Sequence, residues 1–269
     1  MRRFTADYLA ETRAGLWDDR EALAPLSLGD RDCVLDVGCG SGELTRVLRE
    51  SAPPSSTVIG VDADRRLLAG VPGPRVQADA TRLPFADRIA DLVVCQALLV
   101  NLPDPAGAVR EFSRVSEDRV GVIEPDNSEV AVESTVDVEA ALAARARDAY
   151  IAGIDTDVTL GARAADLLQG AGLQDIETTV KYHRRVVEPP YTSDELEGAR
   201  RKVTGQRVIE AREALLASGM DPAEYDALLS DWRAMGRTVV EQMEQGTYRR
   251  AEVIPFYVTV GRVETSTPV

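Results

Sequence analysis

Cys33-Val34-Leu35-Asp36-Val37 is a short apolar run that stops at a glycine, the pattern of a strand buried on both faces. The period then changes. Leu44, Val47 and Leu48 share one face of a helix over Ser41–Arg49, which Pro53-Pro54-Ser55-Ser56 ends. Thr57–Asp62 predicts a second strand, Arg65–Ala69 a short helix and Arg75–Ala78 a third strand. Asp91–Gln96 predicts a fourth strand, Pro105–Val115 a helix and Arg119–Glu124 a fifth strand. Further on, Asp137–Tyr150 and Leu160–Ala171 have helical spacing, with Gly172 capping the latter, and Ile176–Val187 and Val253–Val263 predict two long strands. The first thirty residues, with Phe4, Tyr8 and Trp17, predict a helical segment.

Strands that alternate with helices pair in parallel, because a parallel crossover needs a helix-sized connection. The predicted architecture is therefore α/β: a Rossmann-like, mostly parallel sheet of seven strands with helices on both faces. Residues 1–31 form an N-terminal helical cap segment, and residues 32–190 with 251–264 form the core domain. Residues 191–250, rich in Glu, Arg, Ala and Leu, form a helical insertion before the last strand. Ser218-Gly219-Met220-Asp221-Pro222 divides it into two or three helices that serve as a lid or a dimer surface. Thr265–Val269 is expected to be a frayed tail.

Composition narrows the function. A hydrophobic fraction of 44% and a charged fraction of 28% are those of an ordinary globular chain. No apolar run is long enough to span a membrane, and the two N-terminal arginines are not followed by an apolar signal region, so a cytoplasmic protein is expected. Cys33, Cys39 and Cys95 form no metal-binding spacing and His183 is the sole histidine, so no metal site is expected. A net charge of −14 counts against a nucleic-acid partner. Only Lys181 and Lys202 are lysine among 31 basic residues, set against 45 acidic ones. Low lysine with excess acid resembles the composition of proteins from salt-loving organisms, while a GC-rich genome also favours Arg over Lys, and the sequence leaves the two open.

Gly38, Gly40 and Gly42 follow the first strand and open the first helix, a context in which backbone N–H groups meet an anionic or polar ligand. A dinucleotide fingerprint places a third glycine where this chain has Glu43, whose charge would face a pyrophosphate. The pattern is instead GxGxG preceded by Asp36, an acid that can receive a cationic amino group, which favours an amino-acid nucleoside over a dinucleotide. Asp62, with Ala63 after it, ends the second strand where a carboxylate can accept both ribose hydroxyls. Asp79-Ala80 follows the third strand where an acceptor can meet an adenine amino group, and Gln96 ends the fourth on the same crevice.

These residues resemble those of class I S-adenosylmethionine-dependent methyltransferases, the group that includes ubiquinone and menaquinone biosynthesis enzymes. The resemblance is carried by Val34–Gly42, Gly60-Val61-Asp62, Ala78–Phe85, Asp91–Val94, Asn101–Pro105 and Glu124-Pro125-Asp126, about residues 32 to 126. It implies that Asp36, Gly38, Cys39, Gly40 and Gly42 hold the methionine part of S-adenosylmethionine, Asp62 the ribose and Asp79 the adenine side, with S-adenosylhomocysteine as product. It also implies an antiparallel last strand at Val253–Val263. Many relatives carry histidines before the Leu-Pro-Asp-Pro segment, where this chain has Leu99-Val100-Asn101, and a Pro-Gly-Gly turn where it has Ser116-Glu117-Asp118-Arg119. The acceptor role ascribed to histidine there has no counterpart here.

Methyl transfer is a direct displacement, so a base is needed only for a protonated acceptor. The catalytic candidates are His183, Tyr182 and Asp126, with Glu124 and Asn127 beside the crevice as orienting or capping groups. Tyr8 and Trp17 can close over the cofactor, Arg13 or Arg20 can reach its carboxylate, and Tyr191 can line an acceptor pocket. The expected reaction is methylation of a small quinone-like or aromatic molecule. Methylation of a protein or RNA, and nicotinamide-dependent redox chemistry, are the competing readings. A homodimer is compatible with the sequence.

Overall fold

The computed structural model describes residue 13 and residues 15–264. Two compact units emerge, the first from residues up to 126 with 160–181 and 256 onward, the second from residues 127–159 and 182–255. This second unit draws in more of the chain than the 191–250 insertion expected from the sequence.

In the first unit, β1 (Cys33–Val37), β2 (Thr57–Asp62), β3 (Arg75–Gln77), β4 (Ala90–Gln96) and β5 (Ser116–Pro125) lie parallel in the order β3-β2-β1-β4-β5. Val34, Leu35, Val93, Val94, Val122 and Ile123 are fully buried, which explains why these strands read as apolar runs and do not alternate. Residues 256–262 of β8 (Arg250–Arg262) run antiparallel to β5, with Glu124 opposite Tyr257. Residues 174–181 of β7 (Gln174–Val187) also belong to this unit. Apart from the loop between β3 and β4, the connections are helical: α1 (Glu43–Ser51), α2 (Arg65–Leu68), α3 (Pro105–Val115) and, before β7, α5 (Ala164–Gly170). Asp104 caps α3 by accepting from the Gly107 N–H at 2.8 Å, and Pro105 occupies the first helical position where no N–H is needed. Gly172, with φ +84°, follows the end of α5 in the left-handed region as a helix-terminating glycine should. The chain reverses its winding between β1 and β4, which are neighbours, so their carboxyl ends open a crevice at the topological switch point.

In the second unit, β6 (Ala131–Ser134) pairs antiparallel with residues 250–253 of β8. α4 (Glu139–Ala152), α6 (Ser193–Thr204), α7 (Gln206–Glu210), α8 (Arg212–Ala217) and α9 (Pro222–Glu244) complete it. Thr192 with Glu195, and Asp221 with Glu224, form reciprocal capping boxes that start α6 and α9. Trp232, Met235, Val239, Tyr225 and Leu228 from α9 pack with Ala199, Val208, Leu215 and Tyr248 into one core. Gly236 permits this packing, since a Cβ there would lie 2.5 Å from the Lys202 backbone.

Three sequence expectations are corrected. Residues 1–12 and 14 lie outside the described residues, as does Thr265–Val269. From residue 15 the N-terminal segment is a turn followed by 3-10 segments at Glu21–Leu26 and Leu28–Asp30. Pro25 and Gly29 suit such turns better than a continuous α-helix. Residues 191–250 hold four helices where two or three were expected, because Gly205 (φ +72°) and Ala211 interrupt the first part. β6 is an eighth strand among the described residues, too short to show a period in the sequence.

Candidate cofactor site

β1 delivers Asp36 to the crevice, 1% exposed, and the three glycines then turn the chain into α1. Gly38 has φ +72°, and a Cβ there would sit 2.7 Å from the Leu98 side chain, so both conformation and space require glycine. The N–H groups of Gly38 and Cys39 donate to the Val61 carbonyl at 2.7 and 3.0 Å, tying the loop to β2. Gly42, with φ +89°, is the residue before α1 and carries no side chain to cap it, which leaves the helix's first N–H groups facing the loop.

Asp36 accepts from the Thr45 hydroxyl at 2.5 Å through Oδ2, while Oδ1 is buried with no hydrogen-bond partner. Burial lifts its pKa to about 7; the Thr45 hydrogen bond and Arg13 oppose the rise, and Asp62 and Glu43 add repulsion. Glu43 likewise has a buried Oε2 with no hydrogen bond, 3.9 Å from Arg13. Asp62, at the end of β2, accepts from the Gly40 N–H at 2.9 Å and the Asp64 N–H at 2.7 Å. Those two bonds fix the carboxylate against the glycine loop and leave about half of its lone-pair sites. Gln96 accepts from the Trp17 indole at 3.1 Å, and its Nε2 is buried without an acceptor.

Beside Asp62, the Ala78 N–H donates to the Asp62 carbonyl at 3.1 Å, which brings the loop after β3 alongside. Gln77 reinforces this by donating to the Ala63 carbonyl at 3.0 Å. Asp79 is exposed and holds its own turn, with Oδ1 accepting from the Thr81 N–H at 2.8 Å and hydroxyl at 2.7 Å; those bonds hold its pKa below the usual carboxylate range. Ala80 is buried beside it.

The structure thus gathers Asp36, Gly38, Cys39, Gly40, Gly42, Asp62, Ala63 and Gln96 at adjoining strand ends, with Arg13 and Trp17 from the N-terminal segment. Arg20 lies elsewhere, paired with Glu50 and donating to Ser51 at 3.0 Å. Tyr8 falls outside the described residues. Glu124 is fully buried and spends its oxygens on the loop after β4, accepting from the N–H groups of Leu98 at 3.1 Å, Leu99 at 2.9 Å and Val100 at 3.3 Å. It is therefore a loop-fixing group and not an acceptor-orienting one. Asn127 donates to the Val158 carbonyl at 2.7 Å, and Tyr191 donates to the Tyr248 carbonyl at 2.9 Å within the second unit's core, so both have structural partners. Asp126 is half-buried and packs against Gly161. His183 and Tyr182 sit in the second unit's part of β7, the histidine 4% and the tyrosine 66% exposed.

Two features escaped sequence reasoning. Thr45 holds Asp36 from the first turn of α1, and a threonine there has no distinguishing pattern. The Arg13–Glu43 pair links residues whose proximity only the fold reveals.

The unpartnered carboxylate oxygens beside an uncapped helix N-terminus fit a ligand that carries both an ammonium and a carboxylate. They are a poor match for pyrophosphate. Residues 35–119 match the methyltransferase domain family model. Over 106 residues the chain is 33% identical to the demethylmenaquinone methyltransferase of Lactobacillus johnsonii, covering 35% of this chain and 43% of that protein. Over 102 residues it is 34% identical to the ubiquinone/menaquinone biosynthesis C-methyltransferase UbiE of Burkholderia mallei, covering 34% and 42%. The likeness spans less than half of either curated relative. Among solved structures, a methyltransferase candidate from Bacillus halodurans superposes with TM-score 0.52 at 18% identity, covering 93% of this chain and all of that one. It shares the fold.

Proposed function

We propose that this protein transfers the methyl group of S-adenosylmethionine to a small molecule, with the cofactor held at the carboxyl ends of β1 to β4. The observation that carries the reading is Asp36: a buried carboxylate with one unpartnered oxygen, set before a glycine loop and an uncapped helix. In this reading Asp36 receives the methionine ammonium, and the N–H groups at the start of α1, with Arg13, receive the methionine carboxylate. Asp62 accepts the ribose hydroxyls through the lone pairs it has left, and Asp79-Ala80 lies on the adenine side.

The bound cofactor supplies a methyl group already activated by its sulfonium. The protein's task is then alignment and exclusion of water. Asp36, Glu43 and Asp62 give the crevice a negative field that suits a ligand carrying two positive centres and one negative. No residue is assigned as a base; His183, Tyr182 and Asp126 remain candidates only for an acceptor that must lose a proton. Quinone-like and other aromatic acceptors are the first class to screen, and the protein's acidity favours them over RNA.

Parallel calorimetric titrations with S-adenosylhomocysteine and NAD test the reading. Binding of S-adenosylhomocysteine with no response to NAD is expected; the reverse would overturn it in favour of redox chemistry.

A further inference from the structure

The two oxygens of Asp36 are served unequally. The Thr45 hydroxyl donates to Oδ2 at 2.5 Å, while Oδ1 is buried with no hydrogen-bond partner. Both side chains lie inside the protein, Asp36 at 1% exposed and Thr45 at 0%. Thr45 stands in the first turn of α1, two residues after the helix begins at Glu43. A threonine inside a helix commonly returns its hydroxyl to the carbonyl four residues back. Here the hydroxyl crosses instead to a carboxylate nine residues back, at the end of β1.

That bond acts on Asp36 in two ways. A carboxylate turns about its terminal torsion in a broad, roughly two-fold well. A hydroxyl fixed to α1 selects one setting, with Oδ2 toward the helix and Oδ1 left over. A hydroxyl donor also favours the ionised carboxylate over the neutral acid. This second effect counts because burial works against the charge, and the charged neighbours are divided. Arg13 from the N-terminal segment favours ionisation, whereas Asp62 on β2 and Glu43 on α1 oppose it. The nearby thiols, Cys39 in the glycine loop and Cys95 on β4, are pushed up chiefly by burial and carry no charge in the neutral range. Of these groups, Thr45 alone is hydrogen-bonded to the carboxylate.

We propose that Thr45 is a positioning residue for the cofactor: its hydroxyl fixes Asp36 by Oδ2, presents Oδ1 to an ammonium, and so makes the site prefer a nucleoside that carries an amino acid. The proposal rests on the reading of Asp36 as the ammonium partner. Thr45 acts through that carboxylate and not by touching the ligand.

The test compares two ligands on the full-length protein. S-adenosylhomocysteine carries the ammonium and carboxylate; 5′-methylthioadenosine keeps the adenine, ribose and sulfur but lacks both. Calorimetric affinities are taken from about pH 6 to about pH 8.5 for wild type, Thr45→Val and Thr45→Ser. Thr45→Val keeps the shape and removes the donor. It should weaken S-adenosylhomocysteine by about tenfold or more near pH 7 and move the rise of affinity to higher pH, so that the deficit shrinks toward about pH 8.5. Its affinity for methylthioadenosine should stay within about twofold of wild type throughout. Thr45→Ser restores the hydroxyl and should return both affinity and profile to near wild type. Should the valine variant not fold, Thr45→Ala is read in the same way. Equal weakening of both ligands, or parallel pH profiles in wild type and Thr45→Val, would overturn the proposal and leave the cofactor reading standing. Wild type that binds no S-adenosylhomocysteine at any pH would overturn the cofactor reading, and this inference with it.

Discussion

Asp36 carries a pH dependence whose sign follows from its burial. Its pKa, raised to about 7, means that below this pH the folded protein holds a proton that the unfolded chain has released. Folded Asp36 therefore favours stability at low pH and loses that contribution as pH rises from the ordinary carboxylate range toward 7, a shift equivalent to roughly 4 kcal/mol. A ligand ammonium at Oδ1 reverses the preference by favouring the ionised form. Affinity for S-adenosylmethionine should rise as pH increases through about 7 and then level off, with a proton released on binding below that point. Calorimetry in buffers of different ionisation enthalpy reads both effects. Asp36→Asn should flatten the profile and weaken binding by about 1–3 kcal/mol; a wild-type profile already flat across that range would exclude Asp36 as the ammonium partner. Asp62→Ala should weaken binding by about 1–3 kcal/mol through loss of the ribose hydrogen bonds. Unchanged affinity would place the ribose elsewhere.

Among the elements, the loop after β4 depends on a strand beside it and not on its own sequence. Ala97 has φ +48°, and the three N–H groups that follow converge on Glu124 at the end of β5. Glu124→Ala should leave those donors buried without an acceptor and cost about 3 kcal/mol or more in urea unfolding. Glu124→Gln keeps one oxygen acceptor and should cost clearly less; equal costs would show that water replaces the carboxylate. Glu124 also marks the limit of what could be read from the chain. β1, β2 and α3 were legible because their signals are local: an apolar run, a glycine stop, an aspartate cap before a proline. The candidate cofactor residues could be proposed from the sequence for the same reason, each lying at or just after the end of a strand. Glu124's partners lie 24 to 26 residues away, and Tyr248 meets Glu139 across 109 residues, so no spacing along the chain announces either. β6 was missed because four partly exposed residues carry no period, and α7 and α8 because two helical turns separated by Ala211 look like one helix in sequence.

For the molecule as a whole, the dominant quantity is the excess of 45 acidic over 31 basic side chains. At low ionic strength this excess repels itself and opposes compaction. Salt acts in two directions. It weakens exposed pairs such as Arg66–Asp64 and Arg200–Glu197, but pairs this open to solvent contribute little to the fold. It also screens the unpaired negative charge, with a Debye length that falls from about 10 Å at 0.1 M to about 3 Å at 1 M. Since carboxylates outnumber cations, screening of repulsion should win, and the thermal midpoint should rise with sodium chloride. The shape of that rise tests whether the acidic composition is an adaptation to salt. Pure screening saturates once the Debye length is shorter than the spacing between surface charges, below about 1 M. A surface adapted to concentrated salt continues to gain stability through several molar. Circular-dichroism melts in sodium chloride make the distinction, and sulfate is avoided because its exclusion from protein surfaces stabilises folded chains in general. A midpoint that falls with salt from the outset would mean that the ion pairs outweigh the excess charge, and the −14 would then be spread too thinly to act on the fold.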